Sequence, residues 1–224
     1  MIVADDRFRP GTFVDAFHFI ADNAHLLLVK TAEHLELSLA ALGIALVLAL
    51  PLGLWLGHRH KGLFLALSVS SVGRALPSLV LIAFGLTILG VGFWNNTAAL
   101  VVLAIPSILT NAYFAIVGVD RDVVEAARGM GLSEWQILRQ VELPLGLPLV
   151  IAGVRIAAIF VIATATIAAV AGGGGLGEII VNQASYGLAG VVGASICVSA
   201  LTLLAALLLS LLLRAASPRP EPKA

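Results

Sequence analysis

Four long stretches of the chain carry no charged residue: Leu37–His58, Ala75–Val119, Ile156–Gly177 and Ile179–Leu213. Each reaches or exceeds the roughly 20 residues that a helix needs to cross a bilayer. None shows the apolar–polar alternation of a barrel strand. The pattern predicts an all-α membrane protein with five transmembrane helices, or six if Leu63–Gly92 splits in two. The expected spans are about Leu37–Leu56, part of Leu63–Gly92, Ala98–Val119, Leu147–Ala171 and Leu188–Leu213. Leu63–Gly92 is long for one helix and contains Arg74 and Pro77, so it reads as one broken helix or as a span plus a re-entrant piece. Gly53 and Gly57, four apart near the end of the first span, allow close helix approach. Pro106 predicts a kink in the third.

The flanking segments are polar. Residues 1–12 read as loose chain. Thr12–Glu36 mixes Phe13, Phe17, Ile20, Leu27 and Leu28 with Asp15, Asp22, Lys30 and Glu33, which predicts a helix at the membrane surface leading into the first span. The organisation is therefore an external segment over 1–36, a transmembrane domain over 37–213 that includes a cytoplasmic segment at 120–144, and a proline-rich disordered tail over 214–224. No short apolar run precedes a small-residue cleavage site, so the first span is expected to act as the targeting signal itself.

Composition agrees: 60% of residues are hydrophobic and 12% charged, too little polar surface for a soluble domain of this length. The formal net charge is zero, but its placement orients the chain. With the Arg59–Lys61 loop, the 120–144 segment and the tail inside, Arg59, Lys61, Arg121, Arg128, Arg139, Arg214, Arg219 and Lys223 all face the cytoplasm, and only Arg7, Arg9 and Lys30 lie outside. That is a multi-pass protein with its N-terminus outside and its C-terminus cytoplasmic. The basic residues are topological and give no nucleic-acid footprint. The single cysteine, Cys197, lies in an apolar run and reads as a small buried hydrophobe. His18, His25 and His34 come without HExxH spacing or a Cys/His cluster, so no metal is expected.

The most informative segment is the polar interruption Glu125–Pro144, EAARGMGLSEWQILRQVELP. Asp120-Arg121-Asp122 places acidic residues where a helix N-terminus favours them. Val123, Val124, Ala126 and Ala127 can form one short helix, and Gly129 and Gly131 permit a sharp turn. Ser133 is a candidate N-cap for a second helix, Glu134–Val141, that displays Trp135, Ile137 and Leu138 and stops at Pro144. Two short helices at an angle make a rigid knob that can sit in a partner's cleft and pass its movement to the attached spans.

This segment resembles the EAA motif of binding-protein-dependent ABC importer permeases, E-A-A-x3-G-x9-I-x-L-P, with Val141 in place of the usual isoleucine. The resemblance covers about Leu35–Leu213. It implies a type I, methionine-permease-like architecture, and that Glu125, Ala126, Ala127, Gly131, Leu143 and Pro144 couple the chain to an ABC ATPase. Ala75-Leu76-Pro77-Ser78-Leu79 and the Thr164–Gly177 stretch resemble permeases for glycine betaine, choline and carnitine, and the second also resembles methionine permeases. The resemblance further implies a second permease subunit, identical or paralogous, an extracytoplasmic substrate-binding protein, and a bacterial plasma (inner) membrane. ATP and Mg belong to the partner ATPase, and alternating access moves the solute. The expected solute is an osmoprotectant, with methionine or another small amino acid as the alternative.

The chain's own residues fit a subunit that performs no covalent chemistry. Gly172–Gly175 is no phosphate loop, because a Walker A loop requires Gly-Lys and the chain has none. Neither GxSxG nor HExxH occurs, which argues against an intramembrane hydrolase. A stand-alone channel or secondary transporter would leave the knob without a purpose, and no inverted repeat is evident. Candidate translocation or gate residues are Arg74, Pro77, Ser78, Thr164, Thr166 and Gly172. Arg74 is an intramembrane charge, open to a functional role or to pairing and snorkelling. Arg155 is expected to snorkel, and Glu178 to be solvated in an outer loop. Thr164 and Thr166 lie on an alanine-rich face suited to tight helix packing. With 6% aromatic residues, the chain offers no evident aromatic cage for a quaternary ammonium, consistent with selection by a separate binding protein.

Overall fold

The structure is a computed structural model that describes residues 11–216, apart from the side chains of 72, 74 and 216. The expectations for residues 1–10 and 217–224, and for the Arg74 side chain, lie outside the described residues. Among those described, the elements are helical throughout: α1 Thr12–Asp22, α2 Ala24–His58, α3 Leu63–Ala75, α4 Ser78–Leu89, α5 Phe93–Val117, α6 Arg121–Gly129, α7 Glu134–Ile137, a π turn Leu138–Glu142, α8 Leu143–Ala168, a 3-10 turn Ala169–Ala171, α9 Leu176–Val181 and α10 Gln183–Ala216. Four continuous helical segments are long and apolar enough to span a bilayer: Ala24–His58, Phe93–Val117, Glu134–Ala171 and Gln183–Ala215. Helices α3 and α4 supply the broken element, and the break falls at Leu76-Pro77, because proline disfavours helix at the residue before it.

Two boundaries differ from the sequence reading. The surface helix stops at Asp22 instead of running to Glu36, since Asn23 leaves helical geometry and its side-chain amide donates to Phe19 O at 3.0 Å. Ala24–Glu36 instead forms the first part of α2. Lys30, Glu33 and His34 there are satisfied inside the fold, so their polarity does not mark a helix end. In α10, Gly187 is non-helical (φ 64°, ψ 177°), and the expected fifth span, Leu188–Leu213, begins immediately after it.

The chain forms two compact units. One comprises residues up to Leu42, Pro77–Val101 and Ile159–Leu204; the other comprises Gly43–Leu76, Val102–Ala158 and the residues from Ala205. In the first, Leu27, Leu176, Ile179, Ala194 and Val198 make a core against which Phe19, Ile20 and Tyr186 pack. Polar groups line its margin. His34 is buried, with Nε2 2.9 Å from Ile162 O. Lys30 donates to Glu33 at 3.0 Å and to Glu178 at 2.6 Å, and Glu33 in turn accepts from Gly175 N–H at 2.9 Å. Glu178 is thus ion-paired on α9 and is not simply solvated, because α2 brings Lys30 to it. Gly175 (φ 69°) approaches so closely that an added Cβ would lie 3.1 Å from His34 Cα.

In the second unit, α2 packs on α5 through the predicted glycine pair. A Cβ on Gly53 would lie 2.7 Å from both Ala112 Cβ and Leu109 O, and one on Gly57 would lie 2.8 Å from Tyr113 O. The collisions involve backbone, which cannot move out of the way as a flexible side chain can. Gly53→Val is therefore expected to cost about 1–2 kcal/mol through overpacking and to lower the thermal unfolding midpoint of the purified protein. An unchanged midpoint would show that the seam can open. Gly73 meets the Pro106 ring in the same way, so the proline of α5 is covered by a residue without a side chain.

Candidate functional site

The knob is built as a sequence of caps. Asp120 starts α6, its Oδ1 accepting from Asp122 N–H at 2.9 Å, and Arg128 in the last turn complements the negative end of the helix. The helix then closes in a Schellman turn. Leu132 N–H donates back to Ala127 O at 3.3 Å, and Gly131 N–H to Arg128 O at 3.0 Å. This geometry puts Gly131 at φ +85°, a left-handed conformation that glycine adopts without the steric penalty of a Cβ. Ser133 next opens α7 with a capping box. Its Oγ accepts from Gln136 N–H at 3.4 Å, while Gln136 Oε1 accepts from Ser133 N–H at 2.8 Å. Arg128 and Glu134 close the turn from outside with two hydrogen bonds of 3.2 Å. Both are largely exposed, so this pair adds little to stability.

Of the residues expected to couple, Ala127 is buried and anchors α6, while Glu125 and Ala126 face outward. Val123, Met130 and Trp135 are exposed, Met130 at 75% and Trp135 at 67%. These apolar side chains, held out on a capped two-helix knob, form an exposed apolar face. Two parts of the sequence reading are corrected. Ile137 is not displayed: it is fully buried, because two positions along a helix turn it about 200° from the exposed Trp135. Pro144 does not end the helix either. Leu143 N–H already bonds Leu138 O across a π turn, so Pro144 enters where the α-type ladder is interrupted and its missing N–H costs little. Leu143 and Pro144 therefore lie inside one continuous helical run leading into α8.

Beneath the knob sits a contact that sequence reasoning missed. Glu142 is 2% exposed, and its Oε2 lies 2.6 Å from His58 Nδ1 at the end of α2. His58 Nε2 is also 3.4 Å from Glu134 Oε2. One imidazole thus joins α2, α7 and the π turn. Beside it opens a cleft of about 350 Å³, lined in part by His60, Arg121, Val124, Glu125 and Arg128. The only local hint of a buried carboxylate was that Glu142 stands between Val141 and Leu143; its partner lies 84 positions away.

The translocation candidates are more dispersed. Pro77, Ser78, Thr164, Thr166 and Gly172 fall in the first unit and Arg74 in the second. Pro77 caps α4 and is exposed. Thr164 is buried, as are Ala165 and Ala168, and Thr166 donates its hydroxyl to Ala163 O at 2.7 Å. Gly172 (φ 72°) would drive a Cβ to 2.6 Å from Val91 Cγ1. Just before it, Ala171 O accepts from Gly92 N–H and Asn96 Nδ2, each at 3.1 Å. The glycine run thus turns tightly against the start of α5. No group of three or more His, Cys, Asp or Glu among the described residues could hold a metal ion.

Residues 49–221 match the family described as "Binding-protein-dependent transport system inner membrane component". The chain is 40% identical over 164 residues to the carnitine transport permease protein OpuCB of Listeria monocytogenes, covering 73% of this chain and 75% of that one. It is 35% identical over 202 residues to the glycine betaine/carnitine/choline transport system permease protein OpuCB of Bacillus subtilis (strain 168), covering 90% and 93%. Among solved structures, it superposes on a chain of the MetNI methionine ABC transporter in an inward-facing conformation with a TM-score of 0.75, at 24% identity and over 87% of this chain and 98% of that one.

Proposed function

Because this chain belongs to the family of binding-protein-dependent transport system inner membrane components, we propose that it is the membrane subunit of an ATP-driven importer for glycine betaine, choline, carnitine or a related quaternary amine. The observation that carries the coupling is the knob: a Schellman turn and a capping box hold α6 and α7 rigidly, with Met130 and Trp135 exposed as a docking face. The partner is an ABC ATPase that binds ATP and Mg and hydrolyses the nucleotide; this chain performs no covalent chemistry. Glu125, Ala126, Ala127 and Gly131 shape the surface that enters the ATPase, while Leu143 and Pro144 join it to α8. Movement of the ATPase pair carries two permease subunits between inward-open and outward-open states, and an extracytoplasmic binding protein delivers the solute. Residues 1–36 lie outside and the tail lies in the cytoplasm, as the placement of Lys and Arg favours.

The choice of solute rests on the relatives, whose names specify carnitine, choline and glycine betaine transport. The solved methionine transporter, at 24% identity, speaks for the fold alone. The test is uptake of labelled glycine betaine, choline, carnitine and methionine in a strain lacking the gene, with and without added salt. Loss of quaternary-amine uptake, restored by the gene, is the expected result. Loss of methionine uptake alone would overturn the substrate and retain the permease.

A further inference from the structure

A second hollow, about 730 Å³ in volume, also borders His58, which lines the cleft that contains Glu125 as well. Its walls are apolar, formed by Leu50 and Leu54 of α2 and by Leu138 and Leu143 of the π turn and α8. Two indoles stand at its rim, Trp55 at 53% and Trp135 at 67% exposure. Two guanidiniums stand there as well: Arg59, whose Cζ lies 5.9 Å from the centre of the Trp55 ring, and Arg139. The carboxylate that lines it, Glu134, is engaged by Arg128 at 3.1 Å and by His58 at 3.4 Å. Among the described residues neither Arg59 nor Arg139 forms an ion pair, so the rim is net positive.

The hollow lies where the uncharged run of α2 gives way to Arg59 and Lys61, the depth at which a membrane helix meets the headgroups and where tryptophan is enriched. An apolar stripe leaves it in the other direction. Val47, Leu50 and Leu54 share one face of α2 by their spacing, and Val47 is 74% exposed. A ligand that fits must combine a singly charged anionic head for two guanidiniums with a long aliphatic tail for the stripe. A soluble anion would leave the apolar walls uncovered, and a zwitterionic headgroup would bring a cation up to the arginines.

We propose that this groove binds one anionic phospholipid, with its phosphate between Arg59 and Arg139 and an acyl chain along Leu50, Leu54 and Leu143. Guanidiniums hold phosphate oxygens through directed, charge-assisted hydrogen bonds. Because α2 supplies one wall and the π turn and start of α8 the other, the lipid braces the knob against the end of the first span.

The test uses tryptophan fluorescence of the full-length chain purified in detergent. It carries Trp94→Phe, so that Trp55 and Trp135, both on the rim, are the only indoles left. Brominated phosphatidylglycerol or brominated phosphatidylcholine is titrated into the micelles. Half-quenching is expected at an at least about fivefold lower mole fraction of phosphatidylglycerol, given two arginines at the headgroup. Adding Arg59→Gln and Arg139→Gln, both surface changes, is expected to make the two lipids equal. Equal quenching in the parent chain, or a phosphatidylglycerol preference that survives the double substitution, overturns the proposal. Loss of quenching on adding excess soluble glycerol phosphate would assign the site to a free phosphate instead. Absence of quenching by either lipid would leave the groove to a protein partner. None of these readouts requires transport, so their failure is distinct from failure of the importer assignment.

Discussion

Gly131→Val is expected to abolish uptake while the chain still inserts and accumulates in the membrane. The residue sits at φ +85° in the turn between α6 and α7, and a side chain there costs about 1–2 kcal/mol, more when β-branched. No neighbouring atom would collide, since nothing lies within 4 Å of the added Cβ. The cost is conformational, and the chain relieves it by opening the Schellman bonds from Leu132 to Ala127 and from Gly131 to Arg128. The Gly53 contacts with Leu109 and Ala112 do not involve the turn, so folding is expected to survive. The exposed apolar face proposed to dock does not, because Met130 and Trp135 flank that turn. Uptake should fall to about a tenth of the parent or less, the change produced by about 1.4 kcal/mol of lost docking free energy. Gly131→Ala should fall between the two. The measurement is initial-rate uptake normalised to the amount of chain in washed membranes. A Val variant that transports at the parent rate would remove the turn from the coupling path.

His58→Ala is expected to destabilise the protein more than any single change on the exposed knob. It leaves the Glu142 carboxylate, 2% exposed, without the imidazole 2.6 Å away. Leaving a buried carboxyl group without its hydrogen-bond partner costs about 3 kcal/mol, chiefly because the group remains desolvated. For a chain of this size, each 1 kcal/mol shifts the midpoint by roughly 2–4 °C, so a drop on the order of 10 °C is expected in thermal unfolding. The double variant His58→Leu with Glu142→Met should recover most of the loss, since an apolar pair of similar volume needs no partner. If the single variant melts like the parent, water from the adjacent cleft satisfies Glu142 and the imidazole is not structural. The single change also frees Glu134 from one of its contacts, so reduced uptake by the recovered double variant would separate positioning from folding.

Features encoded by neighbouring residues were readable along the chain. The Ser133 cap, the left-handed Gly131, the break at Pro77, the Gly53–Gly57 approach and the glycine turn at Gly172 each depend on a few adjacent positions and on the conformations those residue types permit. Features encoded by distant residues were not. Lys30 reaches Glu178 across 148 positions and His58 reaches Glu142 across 84, and no local periodicity announces either. The same blindness placed the end of the surface helix at Glu36: Lys30, Glu33 and His34 look solvent-facing until their partners on α8 and α9 are known. Pro144 misled for a different reason. Proline stops an α-helical ladder, but whether a ladder is present at that point depends on the turn before it.

That turn has a further consequence. In an α-helix, residues five apart point about 140° away from each other, yet Ile137 and Glu142 are both buried. The wider π turn restores the phase, because its hydrogen bonds close over five residues instead of four. One extra residue therefore works as a gear tooth: it sets the rotation of the span that follows relative to the knob that precedes it, while leaving the backbone uninterrupted between them. In the proposed importer, a push on Trp135 would reach Pro144 as torsion as well as translation.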